Sequence, residues 1–302
     1  MLAKDLSYFA AIAEKGSLAK AALSLNVSQP ALTKCVRRLE TQLQVKLFNR
    51  TPDGVSLTAI GRAFHQRIQT LGTGLEEALR EVRDLRLGIS GDVHVGITPS
   101  IPNGILSGAY DRFARASPGG RVMVVSQTLP SLLPELIAGN LDFIVGPRPV
   151  AERKGIEYEE LFTDVMQLFV GKDHPLAQSR KPMTPEELLK YPWLLPTGGA
   201  DNYVRAWVEA VFRAHKLPAP KPVIEVQLME HAFILVCGSR LLALGGRRKI
   251  LEAEKLFPLK GVSLAPLPDA MGCGITSRRD AYVSPAAVKL KDAFRSVAAR
   301  LA

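Results

Sequence analysis

Cysteine is scarce in this 302-residue chain. Cys35, Cys237 and Cys273 stand far apart and form no CxxC motif. That argues against a disulfide framework and suits buried free thiols in a reducing cytoplasm. No run of 18 apolar residues occurs, so no membrane-crossing helix is expected. Lys4 and Asp5 lie in the opening of an amphipathic helix, unlike a secretory signal. The five histidines (His65, His94, His174, His215 and His231) form no HExxH pattern, and neither GxSxG nor a P-loop is present. An enzyme is therefore not expected, nor a cofactor or a bound metal. No internal repeat or low-complexity tail occurs.

What the chain has is positive charge, unevenly placed. The formal net charge is +10. Residues 1–67 hold 10 Lys and Arg against 4 Asp and Glu, or +6, leaving +4 for the other 235 residues. A polyanionic partner for the N-terminus follows. The length allows two or three domains, and 47% hydrophobic residues supply a sizeable core.

The stretch from Ser17 to Glu40 reads as two short helices around a tight corner. Ser17 is a predicted N-cap, Asn26 tolerates the left-handed conformation that ends a helix, and Ser28 precedes Pro30 at the next helix start. At 100° per residue from Gln29, the apolar Ala31, Leu32, Cys35, Val36 and Leu39 fall between about 200° and 340°. Gln29, Pro30, Thr33, Lys34 and Arg37 fall between 0° and about 140°. Gln can read an adenine edge, Arg a guanine edge, and Lys guanine or phosphate. Alone, such a face reads as a solvated surface; the basic N-terminus and the wing that follows favour DNA.

Residues 5–15 put Leu6, Phe9, Ile12 and Ala13 on one face of a preceding helix that Gly16 ends. After the corner, Lys46–Phe48 and Val55–Leu57 are predicted strands about the turn Thr51-Pro52-Asp53-Gly54, a β-wing. Arg50 at its base is a candidate phosphate contact. Thr58 then caps a predicted helix over 59–87, on the order of 45 Å long. Ile60, Phe64, Ile68, Leu71, Leu75, Leu79, Val82 and Leu85 are spaced 4, 4, 3, 4, 4, 3 and 3 apart, close to a heptad seam. Gly72 and Gly74 each weaken the helix by roughly 1 kcal/mol, so it needs a partner.

Beyond Gly91 strands and helices alternate. Strands at 93–98, 121–126 and 141–145 with helices at 103–116 and 129–138 read as βαβαβ, hence a parallel sheet covered by helices. A second set has strands at 166–170, 223–226 and 241–244, with helices at 184–190, 201–215 and 228–237. Strands at 263–267 and 272–276 precede a last helix from about Ser284 to Arg300.

With both halves in view, the chain resembles the LysR-type transcriptional regulators. Over residues 1–66 the resemblance rests on Phe9, Gly16-Ser17, Ala21-Ala22, Leu25, Val27-Ser28-Gln29-Pro30-Ala31-Leu32, Arg37-Arg38-Leu39-Glu40, Leu47-Phe48, Arg50 and Leu57-Thr58. Gly139-Asn140-Leu141-Asp142 and His174-Pro175-Leu176-Ala177 resemble landmarks of the family's sensor domain. Leu244-Gly245-Gly246-Arg247 departs from the family's more usual leucine-proline ending of a strand. The resemblance implies an α/β protein: a winged helix-turn-helix at 1–58, a linker dimerisation helix at 59–88, and an effector-binding domain at 89–302. That domain would be two-lobed and akin to periplasmic binding proteins, with lobe I at 91–161 and 266–302 and lobe II at 162–265. Expected partners are double-stranded DNA carrying an interrupted inverted repeat, a small-molecule effector, RNA polymerase, and further copies in a homodimer or homotetramer.

Candidate DNA-binding residues are Ser28, Gln29, Pro30, Thr33, Lys34, Arg37 and Arg50. For the effector they are Thr98, Ser100, Thr128, Thr197, Gly198, Gly199 and Arg247, because hydroxyls and N–H groups at helix starts suit an anion. Each Ser or Thr alone is more often just a helix cap, and Arg247 alone reads first as part of a solvated loop. A small organic anion is the expected effector, with a neutral sugar the alternative. An architectural DNA-binding protein would share residues 1–90 without needing a sensor, and a transport solute-binding protein would share only 91–302. Both halves on one chain favour the regulator.

Overall fold

Helix boundaries in the N-terminal part follow from a few capping residues. The computed structural model describes residues 3–51, 54–87, 92–179, 181–198, 202–263 and 270–300. The chain divides into two compact units, 1–80 and 81–302. The first contains α1 (Ala3–Lys15), α2 (Leu18–Ser24), α3 (Gln29–Leu43), the hairpin β1 (Phe48–Thr51) and β2 (Gly54–Leu57), and most of α4 (Ala59–Leu87). Ser17 accepts from the Lys20 N–H at 3.4 Å and caps α2. Asn26 turns the corner at φ +52°, and Gln44 ends α3 at φ +54°. Ser28 stands at the N-cap position of α3, but its hydroxyl makes no capping bond. Pro30 has no N–H to offer, and the Ala31 N–H goes to the Ser28 carbonyl at 3.0 Å.

Phe9, Ile12, Leu32, Cys35, Leu39 and Leu47 form the buried interior of this unit. Ala31 is exposed, against expectation. It lies at one edge of the predicted apolar arc, whose centre near 280° is Leu39, while Val36 at the other edge is half-buried. The wing also sits further along than predicted. Glu40, buried in α3, accepts from the Leu47 N–H at 2.9 Å and the Phe48 N–H at 3.3 Å, and meets Lys46 Nζ at 2.6 Å. Thr58 takes the Lys46 and Leu47 carbonyls at 2.8 and 3.0 Å. Lys46 and Leu47 are thus bonded elsewhere, and the ladder pairs Phe48 with Leu57 through Thr51 with Gly54. Gly54 is required there: at φ +143° a Cβ would run into the Gly16 carbonyl, to which the Val55 N–H donates at 2.9 Å. The turn residues Pro52 and Asp53 lie outside the described residues.

Thr58 caps α4 through the Gly61 N–H at 2.9 Å. Phe64 and Ile68 pack on the Phe9 cluster. From there the seam emerges into solvent, with Leu71, Leu75, Leu79 and Val82 exposed by 65, 63, 55 and 62%. The Leu85 side chain and Gly88 lie outside what the structure describes.

In the second unit, β3 (Val93–Ile97), β4 (Val122–Ser126) and β5 (Phe143–Pro147) pair in parallel, as predicted. They join β12 (Met271–Arg278) and β6 (Ile156–Asp164) in the order β4-β3-β5-β12-β6, the last two pairings antiparallel. The helices α5 (Asn103–Ala116) and α11 (Pro285–Ala298) cover one face with Ile105, Phe113, Leu290 and Phe294. On the other face α6 (Leu129–Ile137) packs with Leu132 and Leu136. The central strands β3 and β5 are buried almost throughout, as strands covered on both faces must be.

Between β6 and β12 the chain builds a second group. β7 (Met166–Gly171) is flanked antiparallel by β10 (Ala243–Gly246) and β11 (Leu259–Val262), and β8 (Trp193–Pro196) pairs in parallel with β9 (Pro222–Val226). Around them lie α7 (Pro185–Leu188), α8 (Tyr203–Ala214), α9 (Met229–Val236) and α10 (Arg247–Ala253). Five described elements were not predicted: β6, β8, α10, β11 and a 3-10 turn at Pro175–Gln178. The predicted strand at 263–267 lies almost wholly outside the described residues, and the strand present is β11. Cys35 and Cys273 are buried and Cys237 half-buried; none is in a disulfide. Among the described residues no helix is long and apolar enough to cross a membrane.

Candidate nucleic-acid interface and ligand cleft

One face of α3 is set apart by what its neighbours commit to. Gln29, Pro30, Thr33, Lys34 and Arg37 line a single shallow depression and, except for the half-buried Thr33, are exposed. Ser28, also exposed, leads into it. Among the described residues, the Gln29, Lys34 and Arg37 side chains have no partner. Arg38 is different: its guanidinium pairs with the buried Asp5 of α1, Nε to Oδ2 at 3.1 Å. That pairing holds the Asp5 carboxyl below the usual range, against the cost of burial. Adjacent arginines are thus divided, Arg38 binding the helices together and Arg37 left exposed. Arg50 pairs with Val55 within the wing, and only its backbone is described.

In the second unit, strand ends and helix starts surround a half-open cleft with about 80 Å³ of free space. Thr98 and Ser100 follow β3, with their hydroxyls hydrogen-bonded at 2.9 Å. Thr128 follows β4 and precedes α6, its hydroxyl 3.1 Å from that of Ser131. Both strands end at the carboxyl edge of the sheet, where such folds take ligands. The opposite wall comes from the second group of strands, including Leu194, Asn202, Tyr203, Gln227, Met229 and Leu244.

Thr98, Ser100 and Thr128 are therefore brought together. Thr197 and Gly198 do not line the cleft, although their neighbours Pro196 and Asn202 do. Gly199 lies outside the described residues. Arg247 is not brought to the cleft: it is exposed in the first turn of α10, a helix rather than a loop. Gly245 and Gly246 do line it, and Gly246 leaves room for Asp164, which a Cβ there would strike. Asp164 is buried at the end of β6 and accepts from the Val165 N–H at 2.9 Å and the Arg248 N–H at 3.3 Å, which fills the start of α10. Burial raises its carboxyl above the ordinary value, against those hydrogen bonds. Asn202 and Gln227 were missed in sequence, although both stand where the strand-then-helix pattern would have pointed.

The start of α5 is filled as well. Glu252 of α10 accepts from the Asn103 and Gly104 N–H groups at 2.7 and 3.0 Å. Lys249, one turn earlier, reaches Asn103 Oδ1 at 2.6 Å and Glu230 of α9 at 3.8 Å. Burial lowers the Lys249 ammonium below its usual range, opposed by the charges of Glu230 and Glu252. These residues tie the first sheet's helix α5 to the second group.

Two sequence families match this chain, the LysR substrate binding domain over residues 86–299 and the bacterial regulatory helix-turn-helix protein, lysR family, over residues 3–62. The chain belongs to the LysR family. Among its relatives is the HTH-type transcriptional regulator GbpR of Azospirillum brasilense, 31% identical over 223 residues, which are 74% of this chain and 65% of that regulator. The regulator PcaQ of Agrobacterium fabrum is 30% identical over 232 residues, covering 76% of this chain and 73% of its own. CbnR, a LysR family transcriptional regulator of known crystal structure, superimposes with a TM-score of 0.63 at 21% identity, covering 99% of each chain. Membership of this family makes the chain a DNA-binding transcriptional regulator with a domain for an effector. CbnR has also been solved with its target DNA.

Proposed function

We propose that this LysR-family regulator reads an interrupted inverted repeat and changes its activity when a small organic anion enters the cleft. Its working parts are a winged helix-turn-helix at 1–58, a linker helix at 59–88 and an effector part at 89–302. In that part 91–161 and 266–302 act as one lobe and 162–265 as the other. Ser28, Gln29, Pro30, Thr33, Lys34 and Arg37 contact the major groove, and Arg50 a phosphate. The apolar seam of α4 pairs two chains, and effector-domain contacts extend the dimer to a tetramer. The protein works in the cytoplasm with RNA polymerase, as a regulator and not a catalyst.

One observation carries the reading: Thr98, Ser100 and Thr128 share a cleft at the carboxyl ends of the parallel strands β3 and β4. An anion bound there shifts the balance between arrangements of the lobes, and so between arrangements on DNA. A ligand at 100 times its Kd adds about 2.7 kcal/mol to stability, which a thermal-shift screen detects. Ser100→Ala combined with Thr128→Ala should abolish the effector response while leaving operator binding intact. An induction curve that superimposes on wild type overturns the assignment.

A further inference from the structure

We infer that Lys46 is a further DNA contact of this chain, a phosphate-binding cation that Glu40 holds in place between α3 and the wing. The inference rests on the proposed placement of α3 in the major groove. An α-helix with its side chains is about 10–12 Å across, and the major groove of B-DNA is about 12 Å wide. A helix seated there has a sugar–phosphate strand along each flank. Along one flank of α3 lies a hollow of about 250 Å³, bounded by Val36, Arg37 and Glu40 of α3, Phe48 and Val55 of the wing, and Lys46 between them. Thr33 and Arg37 line both this hollow and the depression on the reading face, so the two adjoin. Lys46 also bounds the next hollow along, which runs from Arg37 to Gln44 at the end of α3.

The other walls of the hollow offer little to a phosphate. Val36, Phe48 and Val55 are apolar, and the Thr33 hydroxyl donates to the Gln29 carbonyl at 3.1 Å. The Phe48 N–H goes to Glu40 Oε1 at 3.3 Å and the Val55 N–H to the Gly16 carbonyl at 2.9 Å. Two cations line the space, Arg37 and Lys46. Arg37 stands at the junction with the reading face; Lys46 stands at the root of the wing.

Lys46 differs from an ordinary surface lysine because it is tethered. Its Nζ lies 2.6 Å from Glu40 Oε2, while Glu40 Oε1 accepts from the Leu47 and Phe48 N–H groups. The carboxylate is buried and engaged at both oxygens, so it is a fixed anchor. An ammonium group has three protons, of which Glu40 takes one. The Lys46 side chain is 78% exposed, so the other two are free to meet phosphate oxygens. The tether has already narrowed the rotamers that a free lysine would have to give up on binding. It also explains how an acidic residue is tolerated beside a DNA strand, since Lys46 stands against the Glu40 charge. Without Lys46, that charge would face the phosphates unopposed.

The test uses the full chain, a duplex that it enriches from a random-sequence pool, and a scrambled duplex of the same length. Affinity is followed by fluorescence anisotropy across a salt series. Lys46→Gln should weaken binding to both duplexes by similar factors, about tenfold, and lower the slope of log K against log salt by about 0.9 for each bound protomer. Lys46→Met, a second neutral variant, should do the same, and Lys46→Arg should keep the wild-type slope. Lys4→Gln removes a charge from α1, beside Tyr8 and outside these hollows, and should also keep it. Melting without DNA checks that each variant is folded. A wild-type slope in Lys46→Gln and Lys46→Met overturns the contact. An equal fall in Lys4→Gln overturns it too, because the effect is then one of net charge. Arg37→Ala reads the placement of α3 separately. If it loses discrimination between the duplexes while Lys46→Gln keeps its slope, the Lys46 contact fails alone; if it discriminates like wild type, the groove placement fails.

Discussion

Replacing Glu252 with glutamine tests whether α10 latches α5 across the cleft region. In the native chain the carboxylate accepts two N–H groups, at 2.7 and 3.0 Å, from the exposed first turn of α5. The amide in Glu252→Gln would keep one acceptor oxygen and lose both the charge and the second bond. A carboxylate at an exposed helix start contributes roughly 0.3–1 kcal/mol. A lost hydrogen bond whose donor turns to water costs roughly 0.5–1 kcal/mol more, the low end because the site is wet. Together these come to about 1–2 kcal/mol, so the latched form should lose a factor of roughly 5–30 against the open one. Amide hydrogen exchange reads this directly. Exchange at Asn103 and Gly104 should quicken by that factor, while amides of β3 and β5, buried in the sheet core, keep their rates. Lys249 keeps Asn103 Oδ1 and Glu230, so Glu252→Gln should fold normally. Unchanged exchange at both amides would refute the latch.

Three further outcomes follow from the N-terminal unit. Arg37→Ala and Gln29→Ala should each cost roughly 1–3 kcal/mol of operator binding if they read bases, measured by titration against cognate and scrambled DNA; equal loss on both DNAs would show phosphate contact instead. Leu71→Asp, on the solvent-exposed part of the α4 seam, should lower the sedimenting mass and the operator affinity together, and a wild-type mass would refute the pairing. Glu40→Ala should destabilise the winged-helix unit by roughly 2–4 kcal/mol in denaturant melts, since it strands the Leu47 and Phe48 N–H groups. Glu40 also sets an acid limit. Burial raises its carboxyl, but Lys46 and the two N–H groups outweigh that and leave it depressed. The stability it supplies is present above the ordinary carboxylate value and is lost as pH falls through the depressed one, so Glu40→Ala should lose less stability in acid than wild type, the depressed Asp5 carboxyl supplying the loss that remains.

The parts of this fold with regular grammar were readable in sequence. Ser17, Asn26 and Thr58 punctuate helices by local hydrogen bonding, and α5 runs over 103–116 as predicted, because capping and periodicity need no knowledge of distant residues. Elements held in place by partners elsewhere were not readable. The acidic Glu157, Glu159 and Glu160 disguise β6, a strand fixed by its pairing with β12. The wing starts late because Glu40, seven residues back, captures Leu47. At the cleft, Thr98, Ser100 and Thr128 were marked by strand ends. That Glu252 closes α5 from 149 residues away, and so decides which helix start stays open, is a tertiary fact with no local sign.

The buried thiols have a practical side. Burial, with the nearby charge of Asp5, pushes Cys35 up to about 11, and burial, with Asp164 and Glu160, pushes Cys273 up to about 12. Cys237, half-buried and raised by burial, donates its S–H to the Phe233 carbonyl at 3.0 Å. Because only the thiolate attacks, all three are poor nucleophiles at neutral pH. A reporter dye or spin label aimed at a single cysteine introduced on the open face of α3 or α4 would therefore find its target in the otherwise native chain. The proposed pairing of chains, and the proposed effect of a ligand on it, could then be followed as label distances without first removing a natural residue.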